Sequence, residues 1–145
     1  MDLHHRDEKL VSEILGFARR SWGDEWFKEA SIACLGRTTD ADDPHVQIVV
    51  PWALYHFDVG GRTPAERYLQ ERGRRLTSAD RDWIDTQRAA WLSVWEVRDV
   101  QAGVGMAMRD LLSGTTRFVH EQGASRVLYP RDALLARVAD SGDIS

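Results

Sequence analysis

The stretch that decides the fold is residues 94–138, with the sequence VWEVRDVQAGVGMAMRDLLSGTTRFVHEQGASRVLYPRDALLARV. Apolar and polar side chains alternate along it, as they do around Trp95, and a period of two is typical of half-buried strands. Turn-forming residues separate the runs at Gly103–Gly105, Ser113–Gly114 and Tyr129–Asp132. The pattern predicts about four short antiparallel strands in a small meander or open barrel.

The residues before this stretch have a helical period. Residues 7–22 place apolar side chains three and four positions apart, and Gly23–Asp24 interrupts the pattern before a second helix. Residues 63–66, Thr-Pro-Ala-Glu, match a capping box with proline at the first helical position. Another helix begins at Thr77 and carries Trp91, and we expect it to end near Ser93.

Residues 46–57 are apolar and ambiguous. The β-branched side chains from Val46 to Val50 favour a strand by propensity. Proline is tolerated in the first turn of a helix, so Pro51 favours a helix over residues 51–57. We predict that helix and leave the residues before it open.

The predicted fold class is therefore α+β. An N-terminal helical part, residues 1–93, is expected to pack on an antiparallel β-module, residues 94–145, as one domain. A length of 145 residues suits that size, and 43% hydrophobic with 29% charged residues is ordinary for a globular protein. Six tryptophans are many for such a chain and predict aromatic anchors in a core or an interface.

Composition favours a cytoplasmic protein that does not enter a membrane. Cys34 is the only cysteine, so no internal disulfide can form and nothing indicates an oxidising compartment. The first residues do not resemble a signal peptide, and no run approaches the roughly eighteen apolar residues of a membrane span. A net charge of −4 gives no overall attraction to nucleic acid.

Short segments spread over residues 46–139 match a bacterial protein region. They are Trp52 with the apolar residues after it, Gly61-Arg62-Thr63, Trp95-Glu96-Val97, Arg109-Asp110-Leu111-Leu112-Ser113-Gly114, Ala124-Ser125 and Ala136-Arg137-Val138. Together they resemble the uncharacterised region found before C-terminal SEC-C zinc motifs. The resemblance implies the same architecture and a relation to longer proteins. The zinc motif requires clustered cysteines, which this chain lacks, so no zinc function is implied.

Residues able to ligate a metal occur in two small groups: His4-His5 with Asp7-Glu8, and His56 with Asp58. Neither group supplies the four convergent ligands of structural zinc, and we predict no bound metal and no cofactor. Cys34 has the apolar neighbours Ala33 and Leu35, which favours a small core residue over a nucleophile.

Three carboxylates in the predicted strands are the best indication of an enzyme. Glu96 and Asp99 lie on one strand and Asp110 on the next, so two of them could act as general acid and base. Cross-strand ion pairs with the neighbouring arginines are the more favoured interpretation. A hydrolase is therefore the third hypothesis.

An arginine-rich segment supports the second hypothesis, a weak nucleic-acid-binding module. Its phosphate-contacting residues would be Arg62, Arg67, Arg72, Arg74, Arg75 and Arg81. Their spacing from Glu66 and Glu71 also fits a solvated helix face with internal ion pairs.

The preferred hypothesis is a non-enzymatic protein-interaction or adaptor domain that binds a protein partner or its own copy. Trp22 and Trp26 lie four residues apart and could form an exposed aromatic patch. The last predicted strand, Ala133 to Ala139, has only Arg137 to protect its edge, and Gly142 follows it. Trp95 and Val97 are expected to face the core of the β-module.

Overall fold

The computed structural model describes residues 3–138. The chain forms two compact units, here called the helical unit (Met1–Arg88) and the sheet unit (Ala89–Ser145). Helices dominate the first unit, and the second contains a four-stranded antiparallel sheet. The predicted α+β class, with helices before strands, is confirmed.

The helical unit has four α-helices and one 3₁₀ turn among its described residues. They are α1 (Leu3–Leu35), α2 (Val46–Tyr55), α3 (Pro64–Arg72), the 3₁₀ turn (Gly73–Arg75) and α4 (Ser78–Ala89). Helix α1 is two helical segments joined at Gly23, whose φ of 72° and ψ of −169° are not helical. Glycine adopts this positive φ without a Cβ penalty, so the predicted break is confirmed.

Helix α2 is longer than predicted, because it begins at Val46 and contains Pro51. Burial of one face of the helix, including Val49 and Leu54, accounts for this outcome. Tertiary packing has outweighed the strand propensity of the β-branched residues.

The predicted starts of α3 and α4, at Thr63 and Thr77, are confirmed by their capping hydrogen bonds. The Glu66 backbone N–H donates to the Thr63 hydroxyl at 3.2 Å, and the Thr63 N–H donates to the Glu66 carboxylate at 3.2 Å. Helix α4 begins after Thr77 and ends at Ala89, so the expected end near Ser93 is wrong. Trp91 belongs to the first strand instead.

The core of the helical unit is continuous and apolar. Helix α1 contributes the largest share, and its buried residues there are Leu10, Ile14, Phe17, Ala18, Trp26 and Ala30. The other helices complete this core with Ala53, Leu54 and Tyr55 of α2, Ala65 and Tyr68 of α3, and Ile84 of α4. None of the helices in residues 3–138 has the combined length and hydropathy that crossing a bilayer requires.

The sheet unit contains β1 (Trp91–Gln101), β2 (Gly105–Asp110), β3 (Thr116–Val119), the short helix α5 (Gln122–Ser125) and β4 (Ala133–Val138). The spatial order is β3-β2-β1-β4, and all neighbours are antiparallel. A meander would place β4 beside β3, whereas here it pairs with β1 in the order of a Greek key. Residues 120–132 are long enough to carry the chain across the sheet.

One face of the sheet is buried around Trp95 and Val97, both 0% exposed. Met106, Met108 and Val138 from the neighbouring strands complete this cluster. The prediction that Trp95 and Val97 face the core is confirmed. Strand β4 ends at Val138 in the structure, and Ala139 and Gly142 lie outside the described residues.

Candidate functional site

The two tryptophans predicted as an exposed patch lie on either side of the break at Gly23. Trp26 is only 3% exposed and belongs to the helical core. Trp22 is half-buried and packs edge-on against Phe17, with ring centroids 6.1 Å apart. The predicted patch is therefore wrong, because the core uses the large ring of Trp26.

The six arginines of the nucleic-acid hypothesis are divided. Arg72 and Arg75 line one cleft of the helical unit. The other four are not part of its lining: Arg62, Arg67, Arg74 and Arg81. The structure thus gathers two of the six on a single concave surface.

This cleft, here called the basic cleft, has a volume of about 530 Å³. Helix α1 contributes one wall, which includes Lys9, Glu13 and Arg20. Helix α3, the 3₁₀ turn and the start of α4 contribute the other wall, which includes Tyr68, Arg72, Arg75 and Asp80. A cavity of this size falls within the usual range for small-molecule sites.

Asp80 lines the basic cleft and is 3% exposed. Its carboxylate accepts hydrogen bonds from Arg6 Nε at 3.0 Å and Lys9 Nζ at 3.5 Å. Burial raises the pKa of Asp80, but the Arg6 hydrogen bond and the Lys9 charge outweigh it and leave the pKa below its ordinary value. The Asp80 carboxyl is therefore ionised and paired at neutral pH.

Tyr68 and Glu13 join the two walls of the cleft. The Tyr68 hydroxyl donates to Glu13 Oε2 at 3.0 Å. Burial and the neighbouring Glu13 carboxylate raise the pKa of Tyr68 to about 12. The phenol therefore stays protonated and acts as a hydrogen-bond donor.

Sequence reasoning did not find Lys9, Glu13, Arg20 or Tyr68 as site residues. The α1 positions 9, 13, 16 and 20 have helical spacing, which could have indicated one polar face. No pattern in the sequence shows that Arg72 and Arg75, more than fifty residues further along the chain, line the same cleft as Arg20.

In the sheet unit, Asp110 is a buried carboxylate and is 2% exposed. Oδ1 accepts from the Ser93 hydroxyl at 2.5 Å and from the backbone N–H groups of Leu112 and Ser113. Oδ2 accepts from the Trp91 indole N–H at 2.9 Å. The Ser93 and Trp91 hydrogen bonds outweigh burial and hold the pKa of Asp110 well below its usual range.

The three carboxylates of the hydrolase hypothesis do not converge. Asp110 faces the buried side of the sheet, whereas Glu96 faces the opposite side and accepts from Arg98 at 2.7 Å. Asp99 is exposed after the irregularity in β1 and accepts from the Val100 N–H. The cooperation that this third hypothesis requires does not occur, because alternation along β1 and β2 separates the carboxylates by face.

The remaining candidate residues give no catalytic or metal geometry. Burial raises the pKa of the Cys34 thiol, which disfavours the nucleophilic thiolate. Asp7 accepts from the Trp83 indole N–H at 3.1 Å, and the His4 side chain lies outside the described residues. No described cluster of three His, Cys, Asp or Glu side chains could hold a metal ion. The absence of metal from the working protein stays a prediction.

An exposed apolar group marks the outer face of the sheet beside β4. Val94 and Leu135 are register partners across β1 and β4 and are 37% and 36% exposed. Leu111, whose N–H donates to the Val94 carbonyl at 2.9 Å, is 49% exposed. We call Val94, Leu111 and Leu135 the apolar patch.

Comparison with known proteins adds no relative. No protein-family model matches the chain, and no curated protein or solved structure matches it either. The resemblance to the region before SEC-C motifs therefore stays a prediction.

Proposed function

We propose that this chain is a non-enzymatic protein-interaction domain whose sheet unit pairs with a second copy through strand β4. The observation that carries the proposal is an edge strand flanked by the apolar patch. Strand edges offer unpaired backbone groups, and proteins either protect or pair them.

Backbone direction supports pairing at β4. Leu111 donates to the Val94 carbonyl, so even-numbered residues in the first half of β1 form hydrogen bonds toward β2. The backbone N–H and C=O groups of odd-numbered residues such as Trp95 are therefore directed toward β4. The register partner of Trp95 on β4 is Leu134. Leu135, one position further, directs its backbone N–H and C=O away from β1. No described strand occupies that side of β4.

The side chains of β4 favour a second copy as the occupant. In an antiparallel pair centred on Leu135, each Leu135 lies opposite its equivalent, and Ala133 lies opposite Arg137 of the second copy. This register contains no pair of like charges, which would be destabilising. It also brings two apolar patches side by side, and two-fold pairing is the commonest form of self-association.

The other hypotheses receive less support from the described residues. Division of the arginines weakens the nucleic-acid hypothesis, because a phosphate backbone requires a continuous basic surface.

The single thiol of Cys34 supports the cytoplasmic location, which stays a prediction.

The test measures self-association of the full chain by sedimentation equilibrium from micromolar to millimolar concentration. We expect a dimer that Leu135→Lys weakens by at least about tenfold, because a charge is then buried between the two patches. Phe118→Lys is the matched control: Phe118 is 38% exposed on β3, at the opposite edge. This control should leave the dimer unchanged.

A second variant tests strand pairing itself. Ala133→Pro removes an outward N–H at the first residue of β4, a position where proline is tolerated in a sheet. We expect weaker self-association with unchanged circular dichroism. A monomeric parent at millimolar concentration, or equal effects of Leu135→Lys and Phe118→Lys, would contradict the proposal.

A further inference from the structure

The basic cleft carries more positive charge than its own carboxylates balance. Four cationic side chains line it, namely Lys9, Arg20, Arg72 and Arg75. Two anionic side chains line it, namely Glu13 and Asp80. The difference of four and two leaves a formal charge of +2 on a concave surface.

Both carboxylates of the cleft already have partners. Glu13 accepts the Tyr68 hydroxyl, and Asp80 accepts Arg6 and Lys9. By contrast, neither Arg20 nor Arg75 forms an ion pair with any carboxylate in the described part of the chain. Arg72 has no such ion pair among the described residues either, so the guanidinium groups of Arg20, Arg72 and Arg75 remain available to an anion in the same cleft.

We propose that the basic cleft binds a small phosphate monoester, with Arg20 and Arg75 contacting the phosphate group. A phosphate monoester carries a charge of about −2 at pH 7, which matches the excess of the cleft. The guanidinium group presents a planar set of donors that fits two phosphate oxygens at once.

The size and lining of the cleft indicate what the ester carries. A volume of about 530 Å³ leaves room beyond a phosphate group, and the polar residues Ser12 and Thr77 also line the cleft. The Tyr68 ring is 8% exposed and packs edge-on against Phe17 at 5.6 Å, so it offers no open face to a nucleobase. A phosphorylated polyol or sugar therefore fits better than a nucleotide.

The cleft also differs from a nucleic-acid surface. It gathers two of the six arginines of the arginine-rich segment, and Arg74 lies outside its lining although it precedes Arg75 in the chain. Ligand binding in the cleft is expected to involve the cleft residues and not to depend on self-association through β4.

The test titrates the isotope-labelled full chain with glucose 6-phosphate and follows backbone amides by NMR. We expect saturable shifts at Gly16 and Leu76, weaker binding of inorganic phosphate, and no binding of glucose. Arg20→Gln and Arg75→Gln should each weaken glucose 6-phosphate binding by at least about tenfold, because each removes charge-assisted hydrogen bonds to phosphate.

The matched controls are the adjacent arginines. Arg19→Gln and Arg74→Gln remove the same charge outside the cleft and should leave the affinity unchanged. The proposal is overturned if neither phosphate compound binds saturably, or if the controls weaken binding as much as the cleft variants. Affinity for inorganic phosphate equal to that for glucose 6-phosphate would overturn the monoester assignment. Tighter binding of a single-stranded oligonucleotide, lost in the same cleft variants, would assign the cleft to nucleic acid instead.

Discussion

Asp80 of the helical unit and Asp110 of the sheet unit are both buried, yet different kinds of groups stabilise their ionised carboxylates. Asp80 is paired with the cations of Arg6 and Lys9, whose side chains are 19% and 39% exposed. Within residues 3–138, the donors to the Asp110 carboxylate are all neutral, namely an indole, a hydroxyl and two backbone N–H groups. Both arrangements lower the carboxyl pKa.

Asp80 is thus paired with side chains that reach the surface, whereas Asp110 is bonded to groups of its own sheet. Both cations around Asp80 are partly exposed, and Lys9 lines the basic cleft, so salt screens their attraction. The donors around Asp110 connect the start of β1 to the turn after β2, so this carboxylate organises the strands themselves. A charge at a cleft can serve ligand binding, whereas a charge saturated by its own strands supports the fold.

The largest expected effect concerns the compact core of the sheet unit. Trp95→Ala should lower the free energy of unfolding by about 3–5 kcal/mol, because Trp95 is fully buried in a small cluster. Denaturant unfolding measures this loss, and hydrogen exchange should locate it in the strands. Trp22→Ala, at a half-buried ring of the helical unit, is the control and should cost less. A Trp95→Ala loss within about 0.5 kcal/mol of zero would be typical of a surface position and would contradict this burial.

Replacing each aspartate by the isosteric asparagine tests the comparison of Asp80 with Asp110. Asp80→Asn should lower stability by about 1.5–3 kcal/mol at low salt, the range for hydrogen bonds to charged groups. The stability lost in Asp80→Asn should decrease as the salt concentration rises. Asp110→Asn should cost more and show little salt dependence, because an amide NH₂ would face either the Trp91 or the Ser93 donor. Unfolding curves at two salt concentrations test this order, and equal salt dependence would contradict it.

Acid titration adds a second measurement on the same two variants. The folded pKa of Asp110 lies well below the ordinary pKa of an aspartate, so the stability it contributes is complete above the unfolded pKa. That contribution is lost as the pH falls below about 4 toward the folded pKa. Asp110→Asn should remove this acid dependence of the free energy of unfolding. The lowered pKa of Asp80 predicts that Asp80→Asn reduces the acid dependence by a smaller amount.

The last comparison concerns a pair of glycines, one in each unit, and Gly73 gives the smallest expected effect. A Cβ at Gly105 would overlap the Val119 carbonyl oxygen, so Gly105→Ala should cost about 1–3 kcal/mol as overpacking does. A Cβ at Gly73 meets nothing within 4 Å, and Gly73 has a helical φ of −59°. Gly73→Ala should therefore stabilise the chain by about 0.4–1 kcal/mol. Thermal unfolding of both variants measures the difference, and shifts of the same sign would contradict it.

Much of the fold followed from local signals. The capping box at Thr63 and Glu66, the break at Gly23 and the alternation around Trp95 were all interpreted correctly, because each depends on residues a few positions apart. The candidate sites were harder to predict. Trp26 turned inward, and the basic cleft depends on Arg20 and Arg75, which are far apart in the chain.

By itself, the sequence determined the α+β class, the starts of α3 and α4 and the inward face of β1. Periodicity, capping residues and turn residues act within a few positions, so they can be recognised without the fold. The tertiary structure alone decided that β4 pairs with β1, that Asp110 is saturated by Trp91 and Ser93, and that the arginines divide between surfaces. These outcomes depend on which distant segments meet, and chain closure and burial choose among contacts that are locally equivalent.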